Sequence, residues 1–333
     1  MTTRDDRTFT YRAGVRVRDS VLACDATAGG DLIFVSHSDV LGSRAARRLS
    51  GPRAGRRKIL ATEATLVLAG AAGARLRPLA LVAAFGRPFH LGAMRLELFP
   101  SGYGPGAASL LCEHGGRRSV YSGPVGIAPP EIRPTDALCV DGTFGSARFV
   151  FPDPQQALSG VTGFVRESLR AGRAPVLLTH ARGVQRTIAI ALQQAGVSLR
   201  ADSATLTAAV GWRAAGLPAP ALTRFTGALN PGEALLWPAQ GRDAPILERL
   251  SAPAFLLASG AAADTVTVGQ LRVDAAIPLS ATADFSGLLR YIEAAGPREV
   301  AVTHAGDGEL CRALRQRGVD AYPVGPPEQI SLF

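Results

Sequence analysis

The sequence predicts an α/β protein in which one region is interrupted by another. Three observations carry this expectation. Up to Gly145 the chain reads as short apolar runs separated by Gly, Pro and Asp, the texture of strands joined by turns. After Gly145, buried-strand runs alternate with helical periods, which implies parallel pairing with helices on the sheet faces. The strand-rich first half has few helical periods of its own to cover it, and the last strands and helices can supply that cover. The middle therefore reads as an insert: residues 1–148 and 265–333 form one domain and residues 149–264 the other.

Taken in order, residues 15–17 and 21–24 form a hairpin-like start that ends on Asp25. Residues 33–35 end a buried strand. Short strands are expected at 59–60, 66–68, 79–83, 94–99, 108–112, 120–123 and 137–141. Residues 154–171 read as a helix, 175–179 as a buried strand, and 186–195 as an amphipathic helix stopped by Gly196. Residues 200–250 alternate helix-like and Pro/Gly-rich pieces, and 254–259 is a further buried strand. The chain closes with strands at 275–279, 299–303 and 321–324 and helices at 285–295 and 309–318. No internal repeat or low-complexity tract occurs.

At 333 residues the chain is long enough for a sizeable core. No run approaches the ~20 apolar residues of a membrane helix. Residues 1–12 are charged and polar, unlike a signal peptide. Cys24, Cys112, Cys139 and Cys311 show no C-x-x-C spacing and read as reduced core residues of a cytoplasmic protein. The formal charge of +9 points to a polyanionic partner, but Lys58 is the only lysine, and the Ala-, Gly- and Arg-rich composition reads as codon bias. Clustering is more informative. Arg44, Arg47, Arg48, Arg53, Arg56, Arg57 and Lys58 fall in one segment with no acid between them, either a solvated surface or a nucleic-acid footprint.

The stretch with most chemical content is Leu32-Ile33-Phe34-Val35-Ser36-His37-Ser38-Asp39-Val40-Leu41-Gly42. A His and an Asp two apart, thrown off the end of a buried strand, suit metal binding or proton transfer; the plainer alternative is a loop His bonded to a loop Asp. Five further stretches follow in order: Phe99-Pro100-Ser101-Gly102-Tyr103-Gly104-Pro105-Gly106, Tyr121-Ser122-Gly123-Pro124, Val140-Asp141-Gly142-Thr143-Phe144-Gly145, Ser280-Ala281-Thr282-Ala283-Asp284-Phe285 and Thr303-His304-Ala305-Gly306.

These six stretches resemble, in the same order, the motifs of the β-CASP nucleases of the metallo-β-lactamase fold. They are H-x-H-x-D-H, P-A-G-H-x-L-G-S-A, Y-S-G-D, E/D-S-T-Y-G, S-A-H-A-D-F and T-H-G. Residues 149–152 and 175–185 resemble the start of the β-CASP insert in bacterial ligase-associated exonucleases and messenger-RNA 3′-end-processing-factor homologues. The resemblance implies an αββα sandwich of two mixed sheets with an inserted β-CASP α/β domain, and nucleic acid bound in a cleft between the two.

In active relatives these loops hold two zinc ions that activate a bridging water. Carried over residue by residue, the resemblance leaves His37, Asp39 and His304 as vestigial ligands. It places Val35, Val40, Tyr103 and Pro124 where ligands would stand, and Thr282 where an imidazole would help the leaving group. Valine and proline cannot donate to a metal, and a zinc site usually needs three protein donors. The expectation is a degenerate, non-catalytic member with no metal or other cofactor, in which Asp25, His37, Asp39, Asp141 and His304 persist as a hydrogen-bonded cluster. Asp39, Asp141 and His304 are its vestigial catalytic residues.

Its expected role is a nucleic-acid-binding or scaffolding subunit in DNA repair or RNA processing. DNA or RNA would contact Arg44, Arg47, Arg48, Arg56, Arg57, Lys58, Arg182 and Arg186. A ligase, helicase or active nuclease is the expected protein partner, with no membrane association. The alternative is a hydrolase, an exonuclease or phosphodiesterase with a single Zn or Mn on His37, Asp39 and His304. A protein-interaction module without nucleic-acid affinity is a third reading.

Overall fold

The computed structural model describes residues 6–51 and 55–326. The chain divides into two compact units. One comprises the residues up to Ala147 together with those from Thr282 onward; the other is Arg148–Ala281. Both are α/β.

The first sheet places β1 (Phe9–Tyr11), β2 (Val15–Val17), β3 (Leu22–Cys24), β4 (Leu32–Phe34), β5 (Lys58–Ala61) and β6 (Ala80–Val82) side by side in chain order. The first three pair antiparallel and β3 to β6 pair parallel. Helices α1 (Ser43–Leu49), α2 (Glu63–Leu68) and α3 (Ala71–Leu76) join its later strands. Residues 66–68, expected as a strand, are the end of α2. Thr62 caps this helix by accepting the Thr65 N–H at 3.1 Å, and Glu63 sits in its first turn. Those local signals outweigh the β-branched Thr65 and Val67.

The second sheet begins with β7 (Phe89–Leu91), β8 (Met94–Pro100), β9 (Ala108–His114) and β10 (Arg117–Tyr121), an antiparallel series, and then β11 (Ala137–Asp141), parallel to β10. The second unit follows: α4 (Pro154–Arg170), β12 (Ala174–Thr179), α5 (Arg182–Gln194), β13 (Ser198–Ala201), α6 (Ser203–Ala214), β14 (Leu222–Arg224), β15 (Glu233–Pro238), β16 (Pro253–Ala258), α7 (Thr265–Leu271) and β17 (Ala275–Ile277). Its sheet is parallel throughout, in the order β14-β13-β15-β12-β16-β17. The boundary expected at 264/265 falls at 281/282 instead, because β17 pairs with β16 and α7 packs on that same sheet.

The chain then returns to the first unit through α8 (Phe285–Ala295), β18 (Glu299–Thr303), α9 (Glu309–Gln316) and β19 (Asp320–Pro323). β18 inserts between β11 and β19 and completes the order β19-β18-β11-β10-β9-β8-β7.

Period-two alternation sorts the first unit into four layers. Phe34 and Leu60 of the first sheet share one core with Leu96, Leu110 and Cys139 of the second. Their neighbours point the other way: Ile33 and Ile59 meet Leu49, Leu66 and Leu76 of α1–α3. Leu111 and Val302 meet Leu288, Ile292 and Leu310 of α8 and α9. Each such side chain, once fully buried, contributes about 1.5–3 kcal/mol. All four cysteines are buried free thiols, and burial pushes the Cys112 thiol up to about 11.

One carboxylate ties the first described strand to the last two. Glu299 is buried and accepts from Thr8 N and Thr8 Oγ1, both at 2.7 Å, from Tyr322 Oη at 2.6 Å and from Arg117 Nη2 at 3.1 Å. Four donors satisfy a charge that would otherwise be costly to bury. Among the described residues, no helix is long and apolar enough to cross a membrane.

Candidate functional site

Strand direction brings the motif residues to one edge of both sheets in the first unit. Asp25 follows β3, the Ser36–Asp39 turn follows β4, and Tyr103 lies after β8. Pro124 follows β10, Asp141 ends β11 and His304 follows β18. The two edges are stitched together. Ala108 N donates to Ser36 O at 2.8 Å, and both Thr62 Oγ1 and Thr65 Oγ1 donate to Gly106 O, at 2.7 and 2.8 Å. Gly123, at φ +58°, approaches so closely that a Cβ there would lie 2.7 Å from Ser36 Cβ. Only glycine fits that turn.

The carboxylates and imidazoles expected as one cluster meet in three groups: Ser36 lies between Asp25 and His37, Tyr103 bonds Asp39, and Asp141 lies against His304. Asp25 sits at φ +47° and accepts Ser36 N at 2.8 Å, Ser36 Oγ at 2.6 Å and Tyr121 Oη at 2.9 Å. Burial, then the charge of Asp25, raises the Tyr121 phenol well above its ordinary value, so it stays protonated and donating. Ser36 Oγ also lies 2.8 Å from His37 Nδ1. Tyr103 Oη donates to Asp39 Oδ2 at 3.1 Å, and its ring meets the His37 ring edge-on with centroids 5.0 Å apart.

Asp141 Oδ1 accepts from Thr143 N at 2.9 Å and Thr143 Oγ1 at 2.6 Å, and lies 3.3 Å from His304 Nδ1. That hydrogen bond, outweighing burial, raises the His304 imidazole above its usual range. The His304 side chain is 73 % exposed and its backbone is left-handed at φ +49°. The only sequence signal for these bonding partners is the polar or aromatic residue at a strand end: Ser36, Tyr121 and Thr143.

The donor chemistry does not fit a zinc pair. Val35 is 1 % exposed and packs into the helix-side core, and Pro124 is buried. Tyr103 donates its phenolic hydrogen to Asp39. Among the described residues, no group of three His, Cys, Asp or Glu side chains converges to hold a metal. Thr282 sits on an isolated antiparallel bridge to Gly126, and Asp284 caps α8 by accepting Gly287 N at 2.8 Å.

The basic run is split by the fold. Arg44 lies in the first turn of α1, just after the Ser36–Asp39 turn, and Arg47 and Arg48 lie in the last turn of that helix. Lys58 N donates to Asp31 O at 2.7 Å, which fixes Arg56, Arg57 and Lys58 at the start of β5. The Ser36–Asp39 turn follows the other end of its parallel neighbour β4. With about 3.3 Å per residue, a strand separates the two groups by roughly 13 Å.

Arg57 has structural work of its own, donating through Nε to Gly30 O and through Nη1 to Leu49 O, each at 3.3 Å. The second bond satisfies a terminal carbonyl of α1. Arg44, Arg47, Arg48, Arg56 and Lys58 are exposed. Arg53 lies outside the described residues. Arg182 and Arg186 belong to α5 of the second unit, where Arg186 Nε donates to Pro218 O at 2.9 Å.

No family model matches the chain. Over 244 residues, 71% of this chain, it is 28% identical to a protein of Opitutus terrae named as a probable DNA ligase. The match covers 24% of that protein, so the chain spans about a quarter of the length of the relative it matches.

Proposed function

We propose that the chain is a degenerate β-CASP protein of the metallo-β-lactamase fold, acting as a metal-free, non-catalytic DNA-binding or scaffolding subunit that works beside a DNA ligase. The observation that carries the non-catalytic half is the wiring of the loops. Protein hydrogen bonds run from Tyr103 to Asp39 and from Ser36 and Tyr121 to Asp25, where metal ions would otherwise join these loops. The six motifs in order, and the layering of two sheets between helices, support the family. The preference for DNA over RNA is supported by the ligase relative, in which the likeness occupies only part of a longer chain. A segment carried within such a protein would position substrate for joining rather than cut it.

The test has two arms. Fluorescence anisotropy with labelled single- and double-stranded DNA, from low to high salt, should show binding that weakens steeply as counterions are retained. A nuclease assay with zinc or manganese should show no cleavage by the wild type or by Pro124→Asp, since a catalytic unit missing several members is not revived by one. Metal-dependent cleavage by the wild type that disappears in His37→Ala, Asp39→Ala and His304→Ala would overturn this reading in favour of a one-metal hydrolase. Binding absent at every salt concentration would leave a protein-interaction module.

A further inference from the structure

We infer that the open edge of β7 takes an extended segment of a partner protein, an acidic residue between two apolar ones, as an eighth strand of the second sheet. Among the described residues, β7 ends that sheet and pairs only with β8. Leu91 and Met94 face each other across the two-residue turn Gly92-Ala93, where Gly92 stands at φ +59°. A pair that flanks so tight a turn exchanges both of its hydrogen bonds, and antiparallel ladders alternate bonded and unbonded pairs. His90, one residue away, therefore directs its N–H and carbonyl away from β8, to the open side. Pro88 brings no N–H to that side, so pairing is confined to the few residues around His90.

Charge decides what fits there. On the outer face the register sets Arg118 opposite Glu113, Glu113 opposite Arg95 and Arg95 opposite His90. Glu113 joins its two neighbours, with Arg95 Nη1 at 3.0 Å from Oε2 and Arg118 Nη1 at 3.5 Å from Oε1. The row runs cation, anion, cation and stops at His90, which is exposed. A carboxylate opposite His90 on an added strand continues the alternation, and opposite charges on facing strands attract. A second copy of this chain does not fit in the same way. Antiparallel pairing of two β7 strands about a two-fold axis sets His90 against His90, with an Arg95 on either side.

The inner face sets the flanking positions independently. Phe89 and Leu91 pack against the core between the two sheets but are only half-buried, as are Leu81 and Ala83 at the end of β6. Phe85, bridged to Leu98 of β8, is 38 % exposed. The core is thus unsealed along this edge. On an added strand, the residues one place either side of the acid point to that inner face. Apolar side chains there cover Phe89 and Leu91, while the acid between them meets His90 on the outer face.

The test is an amide-resolved NMR titration of the full chain with the peptide acetyl-Thr-Val-Glu-Val-Thr-amide and with the same peptide carrying Lys in place of Glu. Saturable shifts at Phe89, His90, Leu91 and Gly92 are expected, with the Glu peptide bound about fivefold more tightly, the upper range for one cross-strand charge pair. His90→Glu, a change at an exposed side chain, should reverse that preference. His90→Pro removes the outward N–H, leaves the bonded pairs with β8 in place and should abolish binding of both peptides. No saturable shift at β7, or the same preference in wild type and His90→Glu, would overturn the site. So would a concentration-dependent dimer that dissociates in His90→Pro, which would give the edge to a second copy. The readout is local to β7, so its failure leaves the DNA-binding reading untouched.

Discussion

Tyr103 Oη donates a 3.1 Å hydrogen bond to Asp39 Oδ2, tying the loop after β8 to the turn after β4. The bond joins two loops that each carry motif residues. Tyr103→Phe should lower stability by about 0.5–1.5 kcal/mol, read by urea denaturation. Zinc by elemental analysis should stay far below one per chain in wild type and variant alike. Close to two zincs per wild-type chain would show that the ligand assignment is wrong.

The arginines should separate by position. Arg47→Glu with Arg48→Glu should weaken DNA binding and flatten its salt dependence by about 0.9 for each phosphate no longer neutralised, with little change in stability. Arg57→Ala should do the reverse. It removes the hydrogen bonds to Gly30 O and Leu49 O, lowering stability by about 1 kcal/mol while DNA affinity holds. An equal fall in affinity in both variants would put Arg57 back in the interface.

Asp136 should give the fold part of its acid sensitivity. The Arg118 amide at 2.9 Å, followed by the Arg298 guanidinium at 3.0 Å, holds its carboxyl below the ordinary carboxylate range. A carboxyl depressed in the folded state stabilises above its unfolded pKa and loses that contribution as pH falls through the folded value. Asp136→Asn should therefore lower stability at pH 7 by about 0.5–1 kcal/mol, the range of a partly exposed pair, and less so near pH 2. A constant difference across that range would contradict the assignment.

Glu299→Ala should be the most destabilising of these changes, by about 2–4 kcal/mol, since Thr8 N and Tyr322 Oη would be left buried without an acceptor. Tyr322→Phe alone should cost about 1 kcal/mol. The double variant should cost less than the sum, because the two groups share one bond. Additive losses would mean that the hydroxyl and the carboxylate act separately.

Strand runs such as 137–141 and 299–303 were legible because a buried parallel strand is a short apolar run ended by a polar residue. The helix at Glu63–Leu68 was not, because its capping Thr62 looks like any strand threonine until its hydroxyl is seen to accept from Thr65. That polar residues such as His37, Asp39, Asp141 and His304 stand at or just beyond strand ends was legible in the apolar runs before them. The wiring of the site was not, since Tyr103 and Asp39 are far apart in the chain and meet only when two sheet edges do. The position of Arg57 needed the register of β4 on β5, which composition does not carry.

The place of β18 between β11 and β19 has a consequence for biosynthesis. β11 emerges from the ribosome with one edge bare, and its partner begins only at Glu299. At about 5–20 residues per second the gap lasts on the order of ten seconds or more. During that time a hydrophobic strand edge is open to wrong partners, while Arg148–Ala281, a single continuous stretch, can close behind it. Nascent chains arrested short of Glu299 should be protease-sensitive around residues 137–141 and resistant across β12 to β16; protection of both would show that the first unit closes without its C-terminal strands.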